Sequence, residues 1–334
     1  MPAAVSSRKG KGRAVVETKV EAVLPLGKQL AHTDKKIRDR AVENLAAFLS
    51  RGGESGESST YVNLSESEMA KLWKGLFYCF WMSDKPLIQQ SLASDLASLL
   101  LKINPKTSSS DSETERFQAS LSFLDGFWKA MIREWSGLDR LRMDKFYLLI
   151  RKFVNFTFQL LGRNGWEKKE IASVNEVLSR NGGPLTFEDS RVPSSIGTHL
   201  ADIYLEELDK VLALPEVDSQ SPCPVVSLLF PHILLLTRTS NSTIYTRLML
   251  SIFTPLLSAL SLASSSTEPS SKKRREDEPV YAHIIMCSKL GPDGLKKDLL
   301  KELFKVASED KSGESNRRKV YKLWREEGGD DDEE

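Results

Sequence analysis

Cysteine is scarce in this 334-residue chain: there are three, at positions 79, 223 and 287, odd in number and far apart. Such a set builds no disulfide framework and suits a reducing compartment. No Cys-x-x-Cys pair occurs, so zinc sites of the finger or ribbon kind are not expected, and there are only four histidines. Long apolar runs are missing as well. The most apolar stretch, Val225 to Leu236, is interrupted by Pro231 and His232 and falls short of the roughly 18 residues that read as a membrane span. The N-terminus shows no signal-peptide core, and no stretch alternates apolar and polar residues convincingly enough to read as strands. The expectation is a soluble, intracellular protein with no membrane partner.

Catalytic groupings are equally sparse. A phosphate-binding loop needs G-x-x-x-x-G-K-[ST], whereas Gly291-Pro-Asp-Gly294-Leu-Lys-Lys has the wrong spacing and no hydroxyl after the lysines. His199 and Asp202 stand one helical turn apart, yet no second His or Cys is near enough in sequence to complete a metal site or be activated. A structural hydrogen bond is the expected role of His199. Glu206, Glu207 and Asp209 read as a solvated face. Gly162-x-x-Gly165 and Gly291-x-x-Gly294 have the form of a KH clamp but lack its flanking strands, so they are expected to be helix C-caps and turns. The chain is therefore read as a non-enzyme, with no cofactor, no metal and no small-molecule substrate.

What is abundant is helical periodicity. Met69, Leu72, Trp73, Leu76, Phe77, Phe80 and Trp81 recur on one face, and Ser83-Asp84 is expected to cap a following helix that carries Pro86 in its first turn. Similar patterns place helices over 20–31, 35–50 after the N-cap Asp34, 86–103, 112–135, 138–161, 167–180, 195–214, 225–238 and 242–262, the last capped by Asn241 and kinked by Pro255. Shorter helices follow at 280–288, 293–307 and 316–325. Helix pairs returning about every 40–50 residues match HEAT or armadillo spacing, so the predicted fold is an all-α solenoid of antiparallel helix pairs; a compact multi-helix bundle is the other arrangement the pattern allows. The predicted organisation is a basic tail (1–19), a helical repeat domain (20–263), a Ser-rich linker (264–279), C-terminal helices (280–326) and an acidic tail (327–334).

Charge is balanced overall, 47 Lys and Arg against 46 Asp and Glu, but it is unevenly placed. Two helices are basic: one carries Lys35, Lys36, Arg38 and Arg40, the other Arg140, Arg142, Lys145, Arg151 and Lys152. Aligned on one edge they would contact RNA phosphates in a salt-dependent, sequence-tolerant way; pairing within the helices, as between Asp139 and Arg142, is the simpler alternative. Trp73, Trp81, Trp128 and Trp135 fall on apolar faces and are expected in the core, while Trp166 and Trp324, near helix ends among charges, are candidates for partner contact. Lys272-Lys273-Arg274-Arg275, within the Ser-rich linker, reads as a nuclear-import signal or as a solvated loop.

Four blocks, Asp34 to Leu45, Leu72 to Pro86, Arg142 to Lys152 and His199 to Leu208, together resemble the ribosomal RNA processing protein 1 family. They span about the first 210 residues; beyond Leu214 only the Asn316 to Tyr321 region looks similar. The resemblance implies a nuclear, nucleolar scaffold of the early large-subunit (pre-60S) precursor that supports pre-rRNA processing. Its partners would be pre-60S assembly factors and ribosomal proteins, and pre-rRNA where basic faces reach it. The family supplies no catalytic residues to transfer. Some animal members carry a long basic extension, whereas this chain ends in acidic residues, so RNA contacts of such an extension are not carried over. The alternative from another class is a nuclear transport or signalling adaptor that binds peptides on a helical-repeat surface.

Overall fold

The structure, a computed structural model, describes residues 26–50, 64–105, 112–215, 217, 221–265 and 280–328. Among these there are helices and no strand. The basic tail, residues 329–334 of the acidic tail, the Lys272 to Arg275 tetrad and the start of the helix expected at residue 20 lie outside the described residues.

The first helices are α1 (Leu26–Leu30), α2 (Lys35–Ser50), α3 (Glu66–Trp81), α4 (Pro86–Lys102), α5 (Ser112–Glu134) and α6 (Arg140–Arg163). Then come α7 (Lys168–Ser179), α8 (Ser194–Leu212), α9 (Val225–Arg238), α10 (Ser242–Leu248), α11 (Thr254–Ser265), α12 (Ala282–Met286), α13 (Gly291–Ser308) and α14 (Glu314–Glu326). Several starts follow their capping chemistry. Ser65 and Glu68 form a reciprocal capping box at α3, Asp34 Oδ1 accepts the Lys36 amide at α2, and the Asn241 and Asp139 side chains cap α10 and α6. The expected Ser83-Asp84 cap is corrected: the N-cap of α4 is Lys85, with no side-chain bond, and Ser83 Oγ instead donates to the Phe80 carbonyl and closes the end of α3.

The helices stack in two layers, each helix packing on the one two places away. The sequence α1, α3, α5, α7, α9, α13 makes one layer and α2, α4, α6, α8, α10 the other. This is the α-solenoid arrangement, in which every helix covers an apolar face its neighbour exposes. The array continues past the serine-rich stretch, since α13 packs on α9 and α11, and α14 on α13 and α9. Aromatic α3 lies inside: Trp73 meets Phe123, Phe127 and Phe153 at ring distances of 4.6, 5.4 and 5.5 Å, and Phe77 stacks on Phe146 at 4.8 Å. Burial of each such ring contributes roughly 1.5–3 kcal/mol. Gly126 permits this approach, because a Cβ there would come within 2.4 Å of the Trp73 indole.

Between α10 and α11 the chain makes a π turn at Met249–Phe253, with the Thr254 amide bonded to the Met249 carbonyl. Pro255 explains it: a proline lacks the amide and its ring crowds the carbonyl four residues back, so the ladder loosens by one residue just before it. The whole segment Ser242–Ser265 is long and apolar enough by length and composition to cross a membrane, a feature the Val225 to Leu236 run did not reveal. One side of it serves the core, with Leu248, Ile252, Phe253, Leu256, Leu257 and Leu260 buried against α8 and α13, while Leu250 and Leu262 are exposed.

Candidate interaction surfaces

The register of contacts within the even-numbered layer shows that its helices run parallel. Trp135 Nε1, just before α6, donates to Ser195 Oγ at the start of α8 (3.0 Å), and His199 Nε2 lies 3.1 Å from the Tyr147 carbonyl in their second turns. Further along, Arg151 pairs with Glu206 and Glu207, and Asp202 of α8 holds Arg247 and Ser251 of the next helix. The first turns of α2, α4, α6 and α8 therefore share one edge of the molecule.

Three of the four sequence blocks meet near this edge, and several of their basic residues point inward. Lys145 Nζ donates to the carbonyls of Trp81 (2.5 Å) and Ser83 (2.7 Å), capping the C-terminal end of α3 with a cation from α6. Burial pushes its ammonium down to about 8, so it is still protonated at neutral pH. Arg38 is buried too, donating to the carbonyls of His32, Thr33 and Met82. Both expectations of RNA contact are thereby corrected, because each side chain is consumed in joining helices. Arg142 pairs with Asp139 and lies 4.7 Å from the centre of the half-buried Trp81 ring, Lys35 pairs with Asp39, and Arg151 is tied to α8.

What stays exposed is a smaller set. Lys36 and Arg40 on α2 and Arg140 on α6 make no ion pair among the described residues and face solvent. Lys152 is likewise unpaired there, but half-buried and more than three turns along α6. The structure adds Lys85, at the start of α4, together with Leu87 and Leu141, 79% and 93% exposed in the first turns of α4 and α6. Sequence periodicity assigned these three no role, although a position in a first turn outside the apolar stripe was a readable signal. None of α2, α4, α6, α8 and α10 carries an acid in its first turn, whereas α3, α5 and α7 do. Against the basic groups stand exposed Asp34, Asp84 and Asp144. The edge is thus cationic with apolar tips.

The tryptophans divide differently from expectation. Trp73, Trp128 and Trp135 are buried. Trp166, expected at a partner surface, is only 4% exposed: Gly165 at φ 69° and Trp166 itself at φ 59° turn the chain back after α6, and the indole lies over Gly162. Gly162-x-x-Gly165 is the expected helix C-cap, with Trp166 N–H bonded to the Leu161 carbonyl; Gly291-x-x-Gly294 instead opens α13. Trp324 is half-buried against Phe304 at 4.8 Å.

His199 packs on Tyr147 with ring centres 4.3 Å apart, and burial lowers its basicity; Asp202 turns away from it to Arg247. His232 is fully buried without a partner at either nitrogen, and burial holds it near a pKa of about 3. Burial pushes the Cys79 thiol up to about 11. Among the described residues no three His, Cys, Asp or Glu side chains are grouped to hold a metal ion.

A mouse protein, ribosomal RNA processing protein 1 homolog A, is 32% identical over 240 residues, 72% of this chain and 44% of its own length. The human homolog B is 38% identical over 192 residues, 57% of this chain but only 23% of the human protein. The human homolog A is 28% identical over 341 aligned residues, covering 90% of this chain and 69% of that protein. This chain thus spans about a quarter of the homolog B proteins, and 44% and 69% of the mouse and human homolog A proteins. The family model described as "Nucleolar protein, Nop52" matches residues 21–324, from before α1 into α14, and the chain belongs to that family.

Proposed function

We propose that this protein is a non-catalytic scaffold of ribosome biogenesis that acts in the nucleolus on the pre-60S particle, where it supports pre-rRNA processing by docking assembly factors, ribosomal proteins and pre-rRNA. The observation that carries the proposal is the family match across residues 21–324, joined to relatives named for ribosomal RNA processing. The architecture agrees with it: a solenoid offers long edges and grooves, and Arg38, Lys145, Arg151 and Glu207 are engaged in joining its helices.

The exposed edge supplies a means of contact. Lys36, Arg40, Lys85 and Arg140 would neutralise RNA phosphates, aided by the positive helix ends behind them, while Leu87 and Leu141 would anchor a protein neighbour. Lys152 and Trp324 flank other faces and are assigned secondary contacts. Lys272 to Arg275 would direct nuclear import.

The test is co-sedimentation of the tagged protein with particles containing large-subunit precursor RNA, combined with depletion. The proposal expects a fraction to travel with those particles and depletion to accumulate unprocessed precursor. Sedimentation only as free protein, with normal precursor levels after depletion, would reject it.

A further inference from the structure

A second surface lies away from the basic edge, between α7 and α9 with α13 at its border. There a cleft of about 280 Å³ is lined by Ile171, Ala172, Val226 and Phe230. Asn175, 8% exposed, also lines it. Its amide orientation is fixed, because Nδ2 donates to the Ser227 carbonyl at 2.7 Å; the opposite flip would set two oxygens against each other. Oδ1 is left buried with no partner. A buried acceptor without a donor costs about 1–3 kcal/mol, so its presence beside an apolar cleft needs a reason. At the rim, Glu302 is held by Lys305 at 3.0 Å, while Lys168 is exposed and makes no ion pair among the described residues.

The geometry points to a peptide-docking cleft. Its occupant is an extended segment of a partner protein that inserts one large apolar side chain, donates a backbone N–H to Asn175 Oδ1 and places an acidic residue against Lys168. Each element of that description answers a feature of the site. The apolar walls take a hydrocarbon side chain, and the volume suits one or two side chains rather than a helix face. The orphan acceptor selects a donor, which every peptide bond of an extended segment supplies, while the free ammonium favours a neighbouring carboxylate. This inference rests on the scaffold reading above and names how one class of partner is held.

The experiment uses the full chain and a random-peptide phage library as the probe. Selection on the wild-type protein is followed by counter-selection on Ala172→Trp, an exposed helix position where the indole would fill the cleft without disturbing the core. Enriched peptides should pair a large apolar residue with an Asp or Glu. Their affinity should fall about tenfold or more with Ala172→Trp and several-fold with Lys168→Glu. N-methylation of one peptide amide should weaken binding about tenfold, a loss that disappears in Asn175→Leu. Failure to enrich any peptide, or enriched peptides that bind Ala172→Trp as tightly as the wild type, would overturn the inference. Because these measurements are made on purified protein, that outcome is separable from the result of particle sedimentation, which tests the scaffold reading itself.

Discussion

Lys145 directs its ammonium at two carbonyl oxygens that end α3, whereas Lys36 directs the same group into water. The first joins helices and the second is free to meet a partner, so charge reversal at the two positions should have unrelated effects. Replacing Lys145 with Met leaves the Trp81 and Ser83 carbonyls without their cation, and the expected loss is about 1.5–3 kcal/mol of unfolding free energy by urea titration. The contacts of Lys145 bridge 64 and 62 residues of sequence, which is why a basic pattern on α6 could not reveal its destination. Trp166 differs in this respect: the glycines at 162 and 165 already signal a chain reversal, and an indole directly after such a turn folds back on the helix it leaves.

His232 makes a prediction about pH. Burial holds its imidazole at about 3 against an ordinary 6.5, so the folded state keeps it neutral while the unfolded chain takes up a proton below pH 6.5. Its contribution is therefore intact above 6.5 and is lost as pH falls towards 3, at about 1.4 kcal/mol per pH unit. A decline of about 2 kcal/mol between pH 6.5 and 5 is expected from this residue, and His199, lowered by burial in the same sense, adds to it. Chemical unfolding at pH 7 and pH 5 should show a shallower decline in His232→Leu; an unchanged decline would mean that another group carries the proton uptake.

Among the elements, helix positions were legible and helix partners were not. Periodicity and caps placed α9 at its observed bounds and α7, α8 and α13 within two residues of theirs, because both signals are local. Stacking of each helix on the next but one depends on which apolar stripe fits which, and no local pattern encodes that. The crossing of α3 and α5 gives a sharp test. A methyl at Gly126 would meet Trp73 Cδ1 at 2.4 Å, Nε1 at 2.6 Å and Met69 Cγ at 2.7 Å. The indole cannot swing away freely, since Nε1 donates to the Phe123 carbonyl at 3.0 Å. Gly126→Ala, which would be helpful in an isolated helix, should instead destabilise the protein by about 1–3 kcal/mol. Denaturant unfolding that shows a gain in stability would contradict the packing described.

At the scale of the molecule, the polar ties fall at successive joints: Arg38 to the turn before α4, Lys145 from α6 to that same turn, Arg151 and Asn155 between α6 and α8, Asp202 between α8 and α10. In the other layer Lys129 reaches Glu66, Arg180 reaches Asp125 and Asn175 reaches Ser227. The recognisable sequence blocks largely record these joints, so the family resemblance was readable while the exposed surface was not. Lys85, Leu87 and Leu141 belong to no stripe, and they matter only once parallel helices bring their first turns to one edge.

The most direct test of the account compares two variants of the full chain in RNA binding measured across a series of salt concentrations. One reverses the exposed edge (Lys36→Glu, Arg40→Glu, Lys85→Glu, Arg140→Glu), and the other changes the joint Lys145→Met. The account predicts that the edge variant binds RNA more weakly with a flatter dependence of log K on log salt, by up to about 0.7–0.9 in slope per lost phosphate contact. The joint variant should lose stability and keep the wild-type slope. A wild-type slope in the edge variant, or a flattened slope in a folded Lys145→Met protein, would contradict it.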